Sequence, residues 1–299
     1  MAKRWILRLF KLIGVGLFLI ILSQIDRDVL ISQFKSTNMY LFGSSFIVLF
    51  LIYYCKAERF GVLTKSTNVI LSRNEYWKIF NIGVFLAGIT PGKIGEIGRA
   101  AYLKKSGIKM PIAIAISILD RIFDILAISI IGTIGTGVLF GWQWSGALVF
   151  IILFAISLMW IFWKLISQIH IIKSTKSILQ KRALPSIIFL TFLSWGLYFL
   201  WAILIALSVH IYISIPILVA AFTYAGMVSL LPIAPSGLGT RDATLLILLA
   251  PYGATTEQII SLSFLMFIST ILGSLLGGYY LLRSSGLNSN SNLIEQHKF

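Results

Sequence analysis

In the stretch Ser117-Ile118-Leu119-Asp120-Arg121-Ile122-Phe123-Asp124, three charged residues break a long apolar run. Asp120 and Asp124 are four apart and share one helical face. Arg121 is turned about 100 degrees from Asp120 and can reach Asp124 at i, i+3. Two further charged clusters lie in apolar surroundings: Thr90-Pro91-Gly92-Lys93-Ile94-Gly95-Glu96-Ile97-Gly98-Arg99, and Pro232 to Asp242 with Arg241 beside Asp242. The planar fork of arginine donates two parallel hydrogen bonds to a phosphate. Arg99, Arg121 and Arg241 are therefore candidate phosphate-holding residues, with Lys93 as a point charge. Glu96, Asp120, Asp124 and Asp242 would orient those arginines or carry a coupling proton. The alternative for the Asp120 cluster is an internal ion pair that holds a neighbouring segment to this helix.

Other chemistries find no support. His170, His210 and His297 are too far apart for a metal motif, and Cys55 is the sole cysteine. There is no Gly-x-x-x-x-Gly-Lys-Ser/Thr phosphate loop and no Gly-x-Ser-x-Gly elbow. No catalytic residue, metal or cofactor is assigned.

What must position these charges follows from composition. Of 299 residues, 58% are apolar and 12% charged, and mean hydropathy is +0.93. A soluble domain carries about 25% charged residues, so this chain has too little polar surface to be one. The expected fold is an all-α polytopic membrane protein. Net charge is +15, which in a soluble protein would point to nucleic acid; here it is assigned to the loops of one membrane side, with no nucleic-acid partner.

A bilayer core takes about 20 apolar residues of helix. Full spans are expected at about Leu9–Ile25, Met39–Tyr54, Met110–Phe140, Trp144–Leu165, Pro185–Val209 and Ile259–Leu282, followed by a disordered cytoplasmic tail, 284–299. Between them, Ile79–Tyr102 and Ile215–Tyr252 are apolar runs broken by Pro, Gly and charge. Irregular backbone at membrane depth survives only inside protein or beside a water-filled cavity. Both runs are read as re-entrant helical hairpins, with loop residues Pro91, Gly92 and Gly95 in the first and Pro235, Gly237 and Gly239 in the second.

Six spans with two re-entrant hairpins place nearly all the loop lysines and arginines on the cytoplasmic side, leaving Arg27 and Lys35 outside. Both termini are then cytoplasmic, in a multi-pass protein of the plasma membrane. Residues 1–283 form one transmembrane domain whose halves, about 1–140 and 141–283, repeat the order span, span, hairpin, span in opposite orientation. Pro91-x-x-Ile94-Gly95 and Pro235-x-x-Leu238-Gly239 match, each followed by an arginine. Inverted repeats with broken helices are a recurring transporter plan with the site near the midplane. Of smaller signals, the aromatic stretch 195–201 is assigned to packing or lipid contact. Gly273-x-x-x-Gly277 marks a face for close helix packing.

Together, the motifs around Pro91–Arg99, Leu119–Asp124 and Pro235–Asp242 resemble the flippase-like family, the transmembrane region of lysylphosphatidylglycerol synthases, over nearly the whole chain. The resemblance implies a plasma-membrane protein that moves or handles lipid-linked anionic molecules. In the bifunctional members a separate cytosolic domain transfers lysine to phosphatidylglycerol; the present sequence lacks it, so that activity is not expected. The leading expectation is a flippase or transporter of an anionic phospholipid or a polyprenyl-phosphate-linked glycan headgroup. The alternatives are a membrane-embedded transferase with Asp120 or Glu96 as base, and a non-catalytic accessory partner of a glycosyltransferase or lipid synthase.

Overall fold

A computed structural model describes residues 27–65, 67, 69, 71–90, 94–149, 183–229 and 239–295. Among these residues every regular element is a helix and there is no strand. The expected spans at 9–25 and, beyond residue 149, at 144–165 lie outside the described residues; 142–149 is helical.

The elements follow in order. α1 is Arg27–Lys35, α2 is Met39–Thr64 and α3 is Arg73–Ile89. A 3-10 turn, Ile94–Gly98, leads into α4, Arg99–Lys105, and then α5, Met110–Phe140. α6 is Leu184–Ser208, α7 is Ile215–Val228, α8 is Thr240–Leu249 and α9 is Thr256–Glu295.

Local chemistry sets the boundaries. The Asn38 side chain accepts from the N–H groups of Tyr40 and Leu41 and so caps α2. Ser72 and Glu75 form a reciprocal capping box at α3, whose hydrogen bonds hold the exposed Glu75 carboxyl below its ordinary pKa. α5, α6 and α7 each have proline in the first turn, where its missing N–H costs nothing. Inside the helices, hydroxyls bond back to carbonyls one turn earlier: Ser117 to Ala113, Thr136 to Gly132, Thr191 to Ile187 and Thr223 to Val219. These polar groups ask nothing of an apolar exterior.

Among the described residues, three helices are long and apolar enough to cross a membrane: Met39–Thr64, Leu184–Ser208 and Thr256–Arg283. The apolar face of α2 is largely not spent on a core, since only 22% of its most apolar window is buried, against 50% for α9. Exposed Ile47, Phe50, Ile134, Phe189 and Leu282 cover the outside. In water such a surface would aggregate; against lipid tails it is solvated.

One boundary differs from the sequence expectation. The second span was to end near Tyr54, but α2 runs ten residues further, because its buried face continues through Ala57, Phe60 and Leu63.

In each apolar run read as a hairpin, the described segments on either side of the break pack against one another. The 3-10 turn and α4 pack against α3, and α8 packs against α7. The segments that flank each of these runs also meet. A Cβ on Gly107 would stand 3.9 Å from Val69 Cγ2, and Gln258 Nε2 donates to the His210 carbonyl at 3.0 Å. The packing has a regularity: exchange α2, α3, α4 and α5 for α6, α7, α8 and α9, and the main contacts among these eight helices map onto one another. α2 packs on α6. The α3–α9 contact has its counterpart in α7–α5, α4–α5 in α8–α9, and α2–α5 in α6–α9.

Candidate functional site

The centre of the molecule is an ion-pair cluster built by α2, α4, α5 and α6. Arg59 of α2 is fully buried. Its Nε donates to Asp120 Oδ1 at 2.8 Å, and Nη1 to Asp124 Oδ1 at 2.9 Å and Thr191 Oγ1 at 3.0 Å. Nη2 donates to the Asp120 carbonyl at 3.1 Å. Arg99, also fully buried, gives Nη2 to Asp120 Oδ2 at 2.6 Å. The rest of its guanidinium lies over the rings of Phe60 and Phe80, 4.6 and 5.8 Å from their centroids. That explains how its Nε and Nη1, which have no hydrogen-bond partner among the described residues, are tolerated. Lys56 Nζ donates to Asp124 Oδ2 at 3.0 Å.

Every carboxylate oxygen of Asp120 and Asp124 thus holds a cation. Arg121 does not take the Asp124 partner that its spacing offers. It points toward the 3-10 turn and pairs with Glu96, which also lies 3.7 Å from Arg99. The helical twist explains this: with Asp120 and Asp124 facing α2, Arg121 is turned toward the hairpin.

The second hairpin is chemically simpler. Arg241 stands in the first turn of α8, where Nε donates to Ser263 Oγ at 2.9 Å and Nη2 to the Ser263 carbonyl at 2.5 Å. Asp242 does not orient it by ion pairing; Asp242 Oδ2 accepts from the Gly239 N–H at 2.6 Å and caps the helix. Gly239 takes a φ of 79°, a region that favours glycine. In the first hairpin, the Gly95 N–H donates to Thr90 Oγ1 at 2.8 Å. A Cβ on Gly95 would stand 2.2 Å from the Leu86 carbonyl oxygen, so backbone approach requires glycine there. Lys93, Pro91, Gly92, Pro235 and Gly237 lie outside the described residues.

Between the hairpins is a cavity of about 170 Å³. Glu96, Asp120, Arg121, Asp124 and Arg241 line it together; Arg99 and Asp242 do not. Two groups of lining residues escape the sequence reading. Lys56 and Arg59 were assigned to a cytoplasmic loop, yet Lys56 lines the cavity and Arg59 anchors its wall. Their i, i+3 spacing is the signal that placed them on one face. Trp195, Tyr198 and Trp201 also line it, as a ladder with successive ring centroids 5.3 and 5.6 Å apart. Their three-residue spacing likewise puts them on one stripe of α6. Lys56 Nζ sits 5.5 Å from the Trp195 ring centroid.

Residues 5–278 match the family described as the lysylphosphatidylglycerol synthase TM region. No curated protein and no solved structure gives a significant match.

Proposed function

The chain belongs to the family of lysylphosphatidylglycerol synthase transmembrane regions, and from that premise we propose that it carries an anionic lipid headgroup across the membrane. The substrate class is an anionic phospholipid or a polyprenyl-phosphate-linked glycan. The observation that carries this reading is a cavity lined both by Glu96, Asp120, Arg121 and Asp124 of the first half and by Arg241 of the second. A headgroup entering it would exchange water for fixed cations while its acyl chains stay in lipid.

In this reading the protein has six full spans and two re-entrant hairpins in an inverted repeat. The exchange regularity of the helix contacts supports that arrangement. So does the closure of each hairpin at its base. Rocking of one half against the other would open the cavity alternately to the two leaflets. The plasma membrane is the proposed location, with both termini cytoplasmic.

Translocation is preferred over transferase chemistry because a general base must be free to take a proton from its substrate. Here Glu96, Asp120 and Asp124 all hold cations already. The test is reconstitution of the purified chain in vesicles with labelled phosphatidylglycerol in one leaflet. The wild type should move label to the other leaflet, and Arg121→Gln should slow that movement roughly tenfold or more. Mass spectra of the recovered lipid decide the chemistry: unaltered lipid supports transport, and an altered headgroup would replace it with the transferase reading.

A further inference from the structure

The two halves set an arginine in equivalent positions and then treat it differently. Arg99 opens α4 and reaches α5, where Asp120, 21 residues on, receives it. Arg241 opens α8 and reaches α9, where Ser263, 22 residues on, receives it. The packing contacts α4–α5 and α8–α9 correspond under the exchange of halves. The first acceptor is a carboxylate and the second a neutral hydroxyl. Among the described residues no carboxylate lies within ion-pairing distance of Arg241. Arg99 is ion-paired and does not line the cavity; Arg241 lines it without an ion pair, the nearest carboxylate being the adjacent Asp242, which is held by the Gly239 N–H. A buried cation without a direct ion pair is costly, and at 6% exposure Arg241 has little water to soften that cost.

A second observation points at the same cavity. The indole N–H groups of Trp195 and Trp201 are buried and have no acceptor among the described residues. Trp201 is only 3% exposed, and both residues line the cavity with Arg241. An indole can donate but not accept. Two neutral donors and one charged donor therefore face a common space, and their complement is a species that only accepts.

Resting on the transport reading above, we propose that Arg241, with the indole N–H groups of Trp195 and Trp201, forms the anion-recognition subsite of the cavity, built for the oxygens of a phosphate ester. Its counterpart Arg99 is a structural arginine that fixes the wall. Asymmetry in an otherwise repeated architecture then sets specificity: Ser263 stands where the first half has Asp120, and leaves one arginine available to substrate.

The test uses the full chain in detergent micelles, with native mass spectra recorded against phosphatidylglycerol, against diacylglycerol, which lacks the phosphate, and with inorganic phosphate as competitor. The decisive variant is Ser263→Asp, which gives Arg241 the partner that Arg99 already has without removing any cation. It should weaken phosphatidylglycerol binding roughly ten- to a hundred-fold with no fall in unfolding temperature. Arg241→Gln should lose binding to the same extent, Arg241→Lys should keep part of it, and Trp201→Phe should lose a few-fold. Diacylglycerol should bind no variant better than another. Displacement by inorganic phosphate supports a site that reads the anion alone; binding of the lipid without displacement supports one that reads the phosphate within its glycerol ester. Wild-type affinity in both Ser263→Asp and Trp201→Phe overturns the subsite, as does diacylglycerol binding equal to that of phosphatidylglycerol. The two readings fail separately. A wild type that binds but never translocates lipid ends the transport reading and leaves the subsite standing. Translocation that survives Ser263→Asp with binding unchanged does the reverse.

Discussion

Asp120 and Asp124 illustrate what a charge needs in order to stay inside a membrane protein. Desolvating each ion costs several kcal/mol, and mutual attraction offsets that only when geometry is good and the remaining lone pairs are satisfied. Both conditions are met here: four carboxylate oxygens receive Arg59, Arg99 and Lys56 at 2.6–3.0 Å. Arg59 has the largest share, because its fork serves two aspartates, a backbone carbonyl and Thr191 at once. Arg59→Gln should therefore cost about 3–5 kcal/mol of stability, and Arg59→Lys should recover little of it, since an ammonium on a flexible stem cannot copy the fork. Thermal unfolding in detergent measures both; a melting temperature unmoved by Arg59→Gln would mean the cluster is not what holds α2, α5 and α6 together. The acidic partners were legible in the sequence because a charge inside an apolar run must be paired within protein or face water. Arg59 was not. A cation just beyond an apolar run satisfies the positive-inside pattern equally well in a loop or on a buried helical face, and only the tertiary contact distinguishes the two.

At the scale of elements, the helices can approach closely because selected positions carry no side chain. Gly277 of α9 is the clearest case: a Cβ there would stand 1.9 Å from the Asn81 carbonyl oxygen of α3. No rotamer change relieves a clash with backbone, so Gly277→Ala must push α9 off α3, at a cost of about 1–3 kcal/mol, as for other overpacked sites. Gly43 of α2 is the internal control. A Cβ there meets nothing within 4 Å, so Gly43→Ala should be neutral or stabilise by up to about 1 kcal/mol through helix propensity. Chemical unfolding of the two variants beside the wild type separates them, and equal effects would refute the packing argument. The Gly-x-x-x-Gly spacing was visible in the sequence, but its partner helix was not, since α3 and α9 are nearly two hundred residues apart. Helix existence was legible from apolar run length, as at α5 and α6. Helix ends were less so, because the buried stripe of α2 continues under a polar surface past Tyr54.

For the whole molecule, the open question is whether each hairpin returns to the side it entered from. The base contacts bear on this directly. Val69 precedes α3 and Gly107 follows α4, and they approach one another; His210 precedes α7 and Gln258 opens α9, and they are hydrogen-bonded. Around His210 the Ser36 carbonyl is 2.9 Å from Nε2, and the Asn38 N–H donates to the Ser208 carbonyl at 2.8 Å, so the connections before α2 and after α6 share one end. In the proposed topology, charge supplies the orientation. Lys65, Arg73, Lys78, Lys104, Lys105 and Lys109 flank the first hairpin, and cationic loops stay cytoplasmic. Single cysteines test this in intact cells, with native Cys55 buried and so a poor competitor for label. Cysteine at the exposed positions Ser36 and Tyr212 should react with a membrane-impermeant thiol reagent from outside. Cysteine at Lys65 and at Lys104 should react only after permeabilisation. The comparison of those last two is decisive, because a first hairpin that crossed the bilayer would put them on opposite sides and invert every span after it. Labelling of Lys104→Cys from outside with Lys65→Cys protected would therefore remove the proposed inverted repeat, and with it the proposal that the cavity lined by Arg241 and Asp120 opens alternately to the two leaflets.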